Sequence, residues 1–162
     1  LLLVERIGKR LTFNKTANIL GISVDTVRQY ITYLEETFLL YIIMKHSNSM
    51  NERIYAPKKV YIADNGIKTV FTGFKNEGIF AENLVFLNIK NKGVVSYYFH
   101  NGKEVDFIIG DKAIEVKYKD EINEDDLKQI KSIKIKNKIL VSKKTVSKNG
   151  VEIIPLIRFI QS

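Results

Sequence analysis

The chain has 162 residues, 45% of them hydrophobic, enough to bury a core in one domain or two small ones. It has no cysteine and only two histidines, which excludes disulfides, thiolate metal sites and a cysteine nucleophile, and argues against a histidine-built zinc site. The net charge of +8, shared about equally by residues 1–60 and 61–162, points to a polyanionic partner such as DNA, and no apolar run approaches the roughly 20 residues of a membrane span.

In chain order, Leu1-Leu2-Leu3-Val4 is cut short by Glu5 and Arg6, lacks an initiator Met and carries no cleavage-site pattern. It reads as a helix entered part-way, so a piece of a longer cytoplasmic protein is expected. Residues 11–44 read as helix, turn, helix. The first helix stops at Gly21, Ser23 caps the second, and Val27, Ile31, Leu34 and Phe38 recur at intervals of three and four as its buried face. Strands over 39–45 and 53–63, around a polar loop at 46–52, have the layout of a wing. Residues 1–63 are therefore expected to form a winged helix-turn-helix, in which Thr26, Arg28, Gln29 and Thr32 point away from the core toward DNA bases or phosphates. Winged helices also dock proteins, and Asp25, Glu35 and Glu36 make this helix less basic than a dedicated DNA reader.

Asp64-Asn65-Gly66 is a turn signal, and 64–76 is expected to be a connecting helix and linker. From 77 to 162 the pattern changes to mixed helix and strand. A helix over 79–90 with Phe80, Leu84 and Leu87 inward precedes a strand over 94–100, which ends at the hairpin dipeptide Asn101-Gly102. Two more strands follow around Gly110-Asp111. An amphipathic helix over 124–135, built on Leu127, Ile130 and Ile133, leads to a buried strand over 138–142. Asn149-Gly150 is a turn signal before a last edge strand over 151–155. Residues 128–148 hold eight lysines and no acid, and Lys128, Lys131, Lys134, Lys143 and Lys144 are the candidates for phosphate contact. A lysine-rich solvated surface is the alternative reading.

The central hairpin carries the chemistry. With Gly110-Asp111 as a two-residue turn, paired residue numbers sum to 221 and Asp106 faces Glu115. Strict alternation places Asp106, Ile108, Ala113, Glu115 and Lys117 on one face, and Val105, Phe107, Ile109, Ile114 and Val116 on the other. Opposed carboxylates repel. A divalent cation between them would turn that repulsion into coordination, because hard metals take carboxylate oxygens. Glu82, whose helical neighbours are mostly apolar, is a costly carboxylate unless it is paired. Taken singly, each of these residues reads more simply as a surface ion pair.

The order helix, three strands, helix, strand, with Asp106 on the second strand and Glu115-Val116-Lys117 on the third, resembles the PD-(D/E)xK nuclease superfamily. That resemblance implies a restriction-endonuclease-like α-β-β-β-α-β domain with a mixed sheet. It implies Glu82, Asp106 and Glu115, with the Val116 carbonyl, as ligands of Mg²⁺ or Mn²⁺, and Lys117 as the residue that orients or deprotonates the nucleophile and stabilises charge. A Val105 stands where the motif often has proline. The whole chain, with Tyr61-Ile62-Ala63-Asp64-Asn65-Gly66 and Ala81-Glu82-Asn83-Leu84-Val85, is similar to the C-terminal region of archaeal and bacterial AAA-type ATPases. This implies an upstream P-loop domain as partner, since the chain has no Gly-x-x-x-x-Gly-Lys-Ser/Thr and cannot bind ATP in that manner. The expected function is Mg²⁺-dependent DNA cleavage by an α+β protein that has no membrane association and is compatible with oligomerisation. The alternative is a catalytically silent DNA- or protein-binding module that regulates the ATPase.

Overall fold

The structure, a computed structural model, describes residues 1–144 and 150–162. Lys148 and Asn149, the first half of the expected Asn149-Gly150 turn, lie outside the described residues. The chain divides into two compact units, Leu1–Lys75 and Asn76–Ser162, both mixtures of helix and strand.

The first unit runs α1 (Leu2–Glu5), β1 (Arg10–Leu11), α2 (Phe13–Leu20), α3 (Val24–Glu36), β2 (Leu40–Lys45), α4 (Met50–Tyr55), β3 (Lys58–Ile62) and α5 (Asn65–Thr72). Local chemistry sets the corner between α2 and α3. Gly21 takes a left-handed φ of 66°, a conformation that side chains disfavour, and the Ser23 hydroxyl accepts the Thr26 N–H at 3.0 Å. β3 lies between β1 and β2, antiparallel to both. Leu11, Ala17, Val27, Ile31, Leu40 and Val60 form the core that these elements enclose.

Three expectations for this unit change. Phe38 is not on the buried face of α3: the helix ends at Glu36, and Phe38 follows at φ 56° with its ring 71% exposed. Residues 53–55 are helical rather than strand, because Ser49 caps α4 by accepting the Glu52 N–H. The other end of α4 is closed by the Lys58 ammonium, which donates to the carbonyls of Arg53 (2.8 Å), Ile54 (2.6 Å) and Ala56 (2.8 Å). Asp64-Asn65-Gly66 is the start of α5 rather than a free turn, since the Asp64 carboxylate accepts the Gly66 N–H.

The second unit runs α6 (Glu77–Ile89), β4 (Val95–His100), β5 (Lys103–Ile109), β6 (Lys112–Val116), α7 (Glu124–Lys131), β7 (Asn137–Ser142), β8 (Glu152–Pro155) and α8 (Leu156–Ile160). Its sheet has the order β4-β5-β6-β7-β8. The first two pairings are antiparallel and the last two parallel, so the sheet is mixed. Asn101 and Gly102 take φ of 49° and 75°, as a tight hairpin between β4 and β5 requires. α8 is an element that the hydrophobic pattern did not mark. α6 buries Phe80, Ala81, Asn83, Val85, Phe86 and Ile89, whereas Leu84 is exposed, because a helix apolar on most sides has no single inward stripe. α7 ends at Lys131, four residues earlier than the pattern predicts, and Ile133 is buried beyond its end.

The β5–β6 hairpin has the expected register, Phe107 opposite Ile114, Ile108 opposite Ala113 and Ile109 opposite Lys112. Strict alternation along β5 fails, however. On the β4 side Tyr98 pairs with Val105 and Ser96 with Ile108, so one residue of β4 spans two of β5, a bulge at Asp106-Phe107. Val105 and Ile108 consequently share one core cluster with Leu127 and Ile130 of α7. The Phe107 ring instead meets Phe86 of α6, with centroids 6.3 Å apart.

Lys58 supplies the fold's clearest single test. Lys58→Met keeps the aliphatic stem and removes the donor from three carbonyls. Urea denaturation should show a loss of about 1 kcal/mol, the net worth of hydrogen bonds to part-buried carbonyls. An unchanged midpoint would mean that water replaces the ammonium without penalty.

Candidate metal centre and nucleic-acid surface

The regular β5–β6 ladder stops at Phe107–Ile114. Beyond it the two strands are joined by side chains. The Asp106 N–H donates to Glu115 Oε2 at 3.3 Å, and the Val116 N–H donates to Asp106 Oδ2 at 3.0 Å. Each carboxylate thus accepts a backbone N–H of the opposite strand. The other oxygen of Glu115, Oε1, lies 2.7 Å from the Lys117 ammonium. Glu115 is 2% exposed, and these donors compensate its burial. Backbone amides and a lysine therefore relieve the repulsion that seemed to demand a cation.

Burial by itself would lower the Lys117 pKa. The charge and hydrogen bond of Glu115, followed by the charges of Asp106 and Asp126, more than offset it and hold the value above the ordinary 10.5. Lys117 is accordingly an ammonium at neutral pH. Asp126, in the first turn of α7, shows the same contest with the opposite sign. Burial would raise its pKa, but the Lys119 and Asn123 donors and the charges of Lys119 and Lys117 bring it below 3.8.

Glu82 stands half-buried on α6, one turn before Phe86, whose ring packs on Phe107 beside Asp106. Among the described residues no group of three or more His, Asp or Glu side chains is gathered as a set that could hold a metal ion. The structure therefore brings together Asp106, Glu115, Val116 and Lys117 as one contact set. The donor chemistry of that set suits a hard divalent cation: two carboxylates and a strand carbonyl, all oxygen.

The expected DNA contacts are distributed differently from their linear pattern. On α3, Thr26 sits within 2.8 Å of the Ser23 hydroxyl as part of the cap, and Thr32 is exposed. The Arg28 guanidinium lies over the Phe13 ring at 5.5 Å, and the Gln29 amide donates to the Tyr33 hydroxyl at 2.7 Å. In the second unit Lys128 pairs with Asp125 (2.5 Å), Lys131 with Glu124 (2.9 Å), Lys143 with Glu77 (2.7 Å) and Lys144 with Asp120 (3.3 Å), while Lys134 is exposed. Four lysines of a run that is free of acid in sequence are thus paired with acids from α6, from the loop after β6 and from the first turn of α7.

Sequence reasoning missed Tyr118, Lys119 and Asp126. Lys119 lies 2.7 Å from Asp126, and Asp126 forms a reciprocal capping box with Asn123. The spacing Asn123-x-x-Asp126, six residues after Lys117, was the available signal.

Residues 77–161 match the family described as a domain of unknown function (DUF4143), and residues 1–78 match a second family with the same description (DUF8612). Over 118 residues the chain is 27% identical to the uncharacterized protein MJ1544 of Methanocaldococcus jannaschii, an alignment that covers 67% of this chain and 26% of that protein. The chain thus spans about a quarter of the length of that relative. No solved structure matches.

The Lys117 environment carries a pH prediction. With its folded value raised, the stability it contributes is present below the ordinary 10.5 and is lost as pH rises through the folded pKa. NMR titration of the Lys117 side chain should place its midpoint above 10.5, and Glu115→Gln should lower that midpoint. A midpoint unmoved by Glu115→Gln would show that the carboxylate does not control it.

Proposed function

The chain belongs to the DUF4143 family, and on that premise we propose that it is a DNA-processing module of an AAA-type ATPase, with Asp106 and Glu115 as ligands for Mg²⁺ or Mn²⁺ in phosphodiester hydrolysis. Domains of this family are often found at the C-terminus of AAA ATPases. ATP belongs to an upstream P-loop domain in this reading, since these 162 residues hold no P-loop motif. The sequence of α2, Gly21, α3, β2 and β3 supports reading residues 1–63 as a winged helix-turn-helix. The order α6-β4-β5-β6-α7-β7 supports reading residues 77–162 as a PD-(D/E)xK domain.

One observation carries the proposal. Asp106 and Glu115 are held together across the end of a hairpin by each other's strand, with the Lys117 ammonium 2.7 Å from Glu115. The two carboxylates and the Val116 carbonyl would hold the cation, and Glu82 would complete its shell. A bound divalent cation supplies acidification of a water and neutralisation of charge on the phosphate. Lys117 faces the same oxygens as an ammonium, so its role is to stabilise developing negative charge at the phosphate oxygens. Lys128, Lys131, Lys143 and Lys144 exchange their surface carboxylates for DNA phosphates, a low-cost swap because exposed ion pairs contribute only about 0–1 kcal/mol, and the exposed Lys134 joins them.

The same geometry supports a second reading. Both carboxylates already have donors without a cation, which suits a silent DNA- or protein-binding module that regulates the ATPase, with α3 as a docking face. Calorimetric titration with Mn²⁺, comparing the parent with Asp106→Asn, separates the two. The enzyme reading expects metal binding that Asp106→Asn weakens at least about tenfold. It also expects Mg²⁺-dependent cutting of branched, single-stranded or duplex DNA, lost in Asp106→Ala and Glu115→Ala. Binding of DNA that is indifferent to chelator, without cleavage, would select the silent module.

A further inference from the structure

The parallel strands β6 and β7 end side by side. The Lys117 N–H donates to the Val141 carbonyl at 2.9 Å, and the Lys143 N–H donates to the Lys119 carbonyl at 3.3 Å. Ligands of α/β sheets collect at such carboxyl ends because the loops that follow neighbouring strands converge there. Here those loops bring Lys117, Tyr118 and Lys119 together with Lys143 and Lys144. The Lys143 ammonium lies 5.0 Å from the centre of the Tyr118 ring. Each of the four lysines has a carboxylate, but the four pairs are not equivalent. In Lys117–Glu115 the carboxylate is buried and the lysine 35% exposed, whereas in Lys143–Glu77 and Lys144–Asp120 both side chains reach solvent.

Lys119–Asp126 likewise joins a partly exposed lysine to a largely buried acid. The lysine side chain is 44% exposed and the aspartate 12% exposed. Asp126 Oδ2 meets both the Lys119 ammonium at 2.7 Å and the Asn123 N–H at 2.9 Å, so the capping box fixes the carboxylate while the lysine remains free to turn outward. An oxyanion is thereby held beside Lys119, and its charge also reaches Lys117. That is the place and charge a phosphate oxygen would take.

We propose that the Lys119–Asp126 ion pair gates a phosphate subsite beside the Asp106–Glu115 pair: Lys119 turns from Asp126 to a DNA backbone phosphate, with Lys143 and Lys144 on the adjoining loop. The inference rests on the DNA reading above, and it adds Lys119 as a contact residue and Asp126 as the residue that positions it. Asp126 competes with substrate for one lysine, which limits phosphate capture in the free protein.

The test is fluorescence anisotropy of a labelled duplex with the full chain in EDTA, over a range of salt. Asp126→Asn retains an amide oxygen for the Asn123 N–H and removes the charge, so it should tighten binding several-fold. Lys119→Gln should weaken binding and reduce the slope of log affinity against log salt by about one, while Lys119→Arg should stay close to the parent. In a Lys119→Gln background, Asp126→Asn should give no gain. A gain of full size in that background would overturn the gate, since Asp126 would then act by general repulsion. A parent that binds DNA but is unmoved by Lys119→Gln would overturn the subsite alone, whereas a parent that binds no DNA would overturn both the subsite and the DNA reading.

Discussion

Two backbone amides exchanged between neighbouring strands determine what the centre of this protein can be. Where the β5–β6 ladder ends, the Asp106 N–H reaches the Glu115 carboxylate and the Val116 N–H reaches the Asp106 carboxylate. A ladder bond would have used strand carbonyls, leaving the acids to repel each other at close range. The crossed arrangement satisfies two strand donors and keeps both negative charges within one small region. The Lys117 ammonium, drawn to Glu115 and Asp106, follows from that concentration of charge. Burial, register and ionisation are thus aspects of one constraint.

The bulge in β5 is the geometric counterpart. A regular strand would have put Val105 and Ile108 on opposite faces. One extra residue at Asp106-Phe107 lets both enter the core under α7 and turns the Phe107 ring toward Phe86 of α6. Bulges bend a strand and re-aim a side chain, and this one falls beside the acid pair. The apolar requirements of both faces of the sheet and the placement of Asp106 are met by the same insertion.

Charge is arranged with similar economy. A sequence with +8 overall presents its lysines in company: four of the five candidates in the second unit have a carboxylate within 3.3 Å. Exposed pairs of this kind cost little to exchange, so they suit contacts that must be made and released. The Lys119–Asp126 pair stands apart because the helix cap holds its acid in place. On α3, aromatic Tyr30 and Tyr33, both at least half exposed, share the surface with Arg28 and Gln29, which gives that helix a less electrostatic character.

Much of this was legible in the residues themselves. Gly21 with Ser23, Asn101-Gly102 and Gly110-Asp111 act through local backbone geometry, so the helix corner, the place of both hairpin turns and the β5–β6 register, with the approach of Asp106 to Glu115, could be read directly. The Asp106–Glu115 pair could be drawn from the same turn, since one fixed pair sets the rest of the β5–β6 register. What tertiary structure decided depends on distant partners. α4 is the exception, formed where a strand was expected by local contacts alone: the Ser49 cap and Lys58, two to five residues beyond the carbonyls it closes. The bulge depends on β4 and on two helices, and four lysines of the run are paired with acids from α6, α7 and the loop after β6. Sequence by itself determined which residues meet through short turns, where geometry is local. Which charges remain open and which face a bulged residue joins were decided only by packing, because both depend on elements far along the chain.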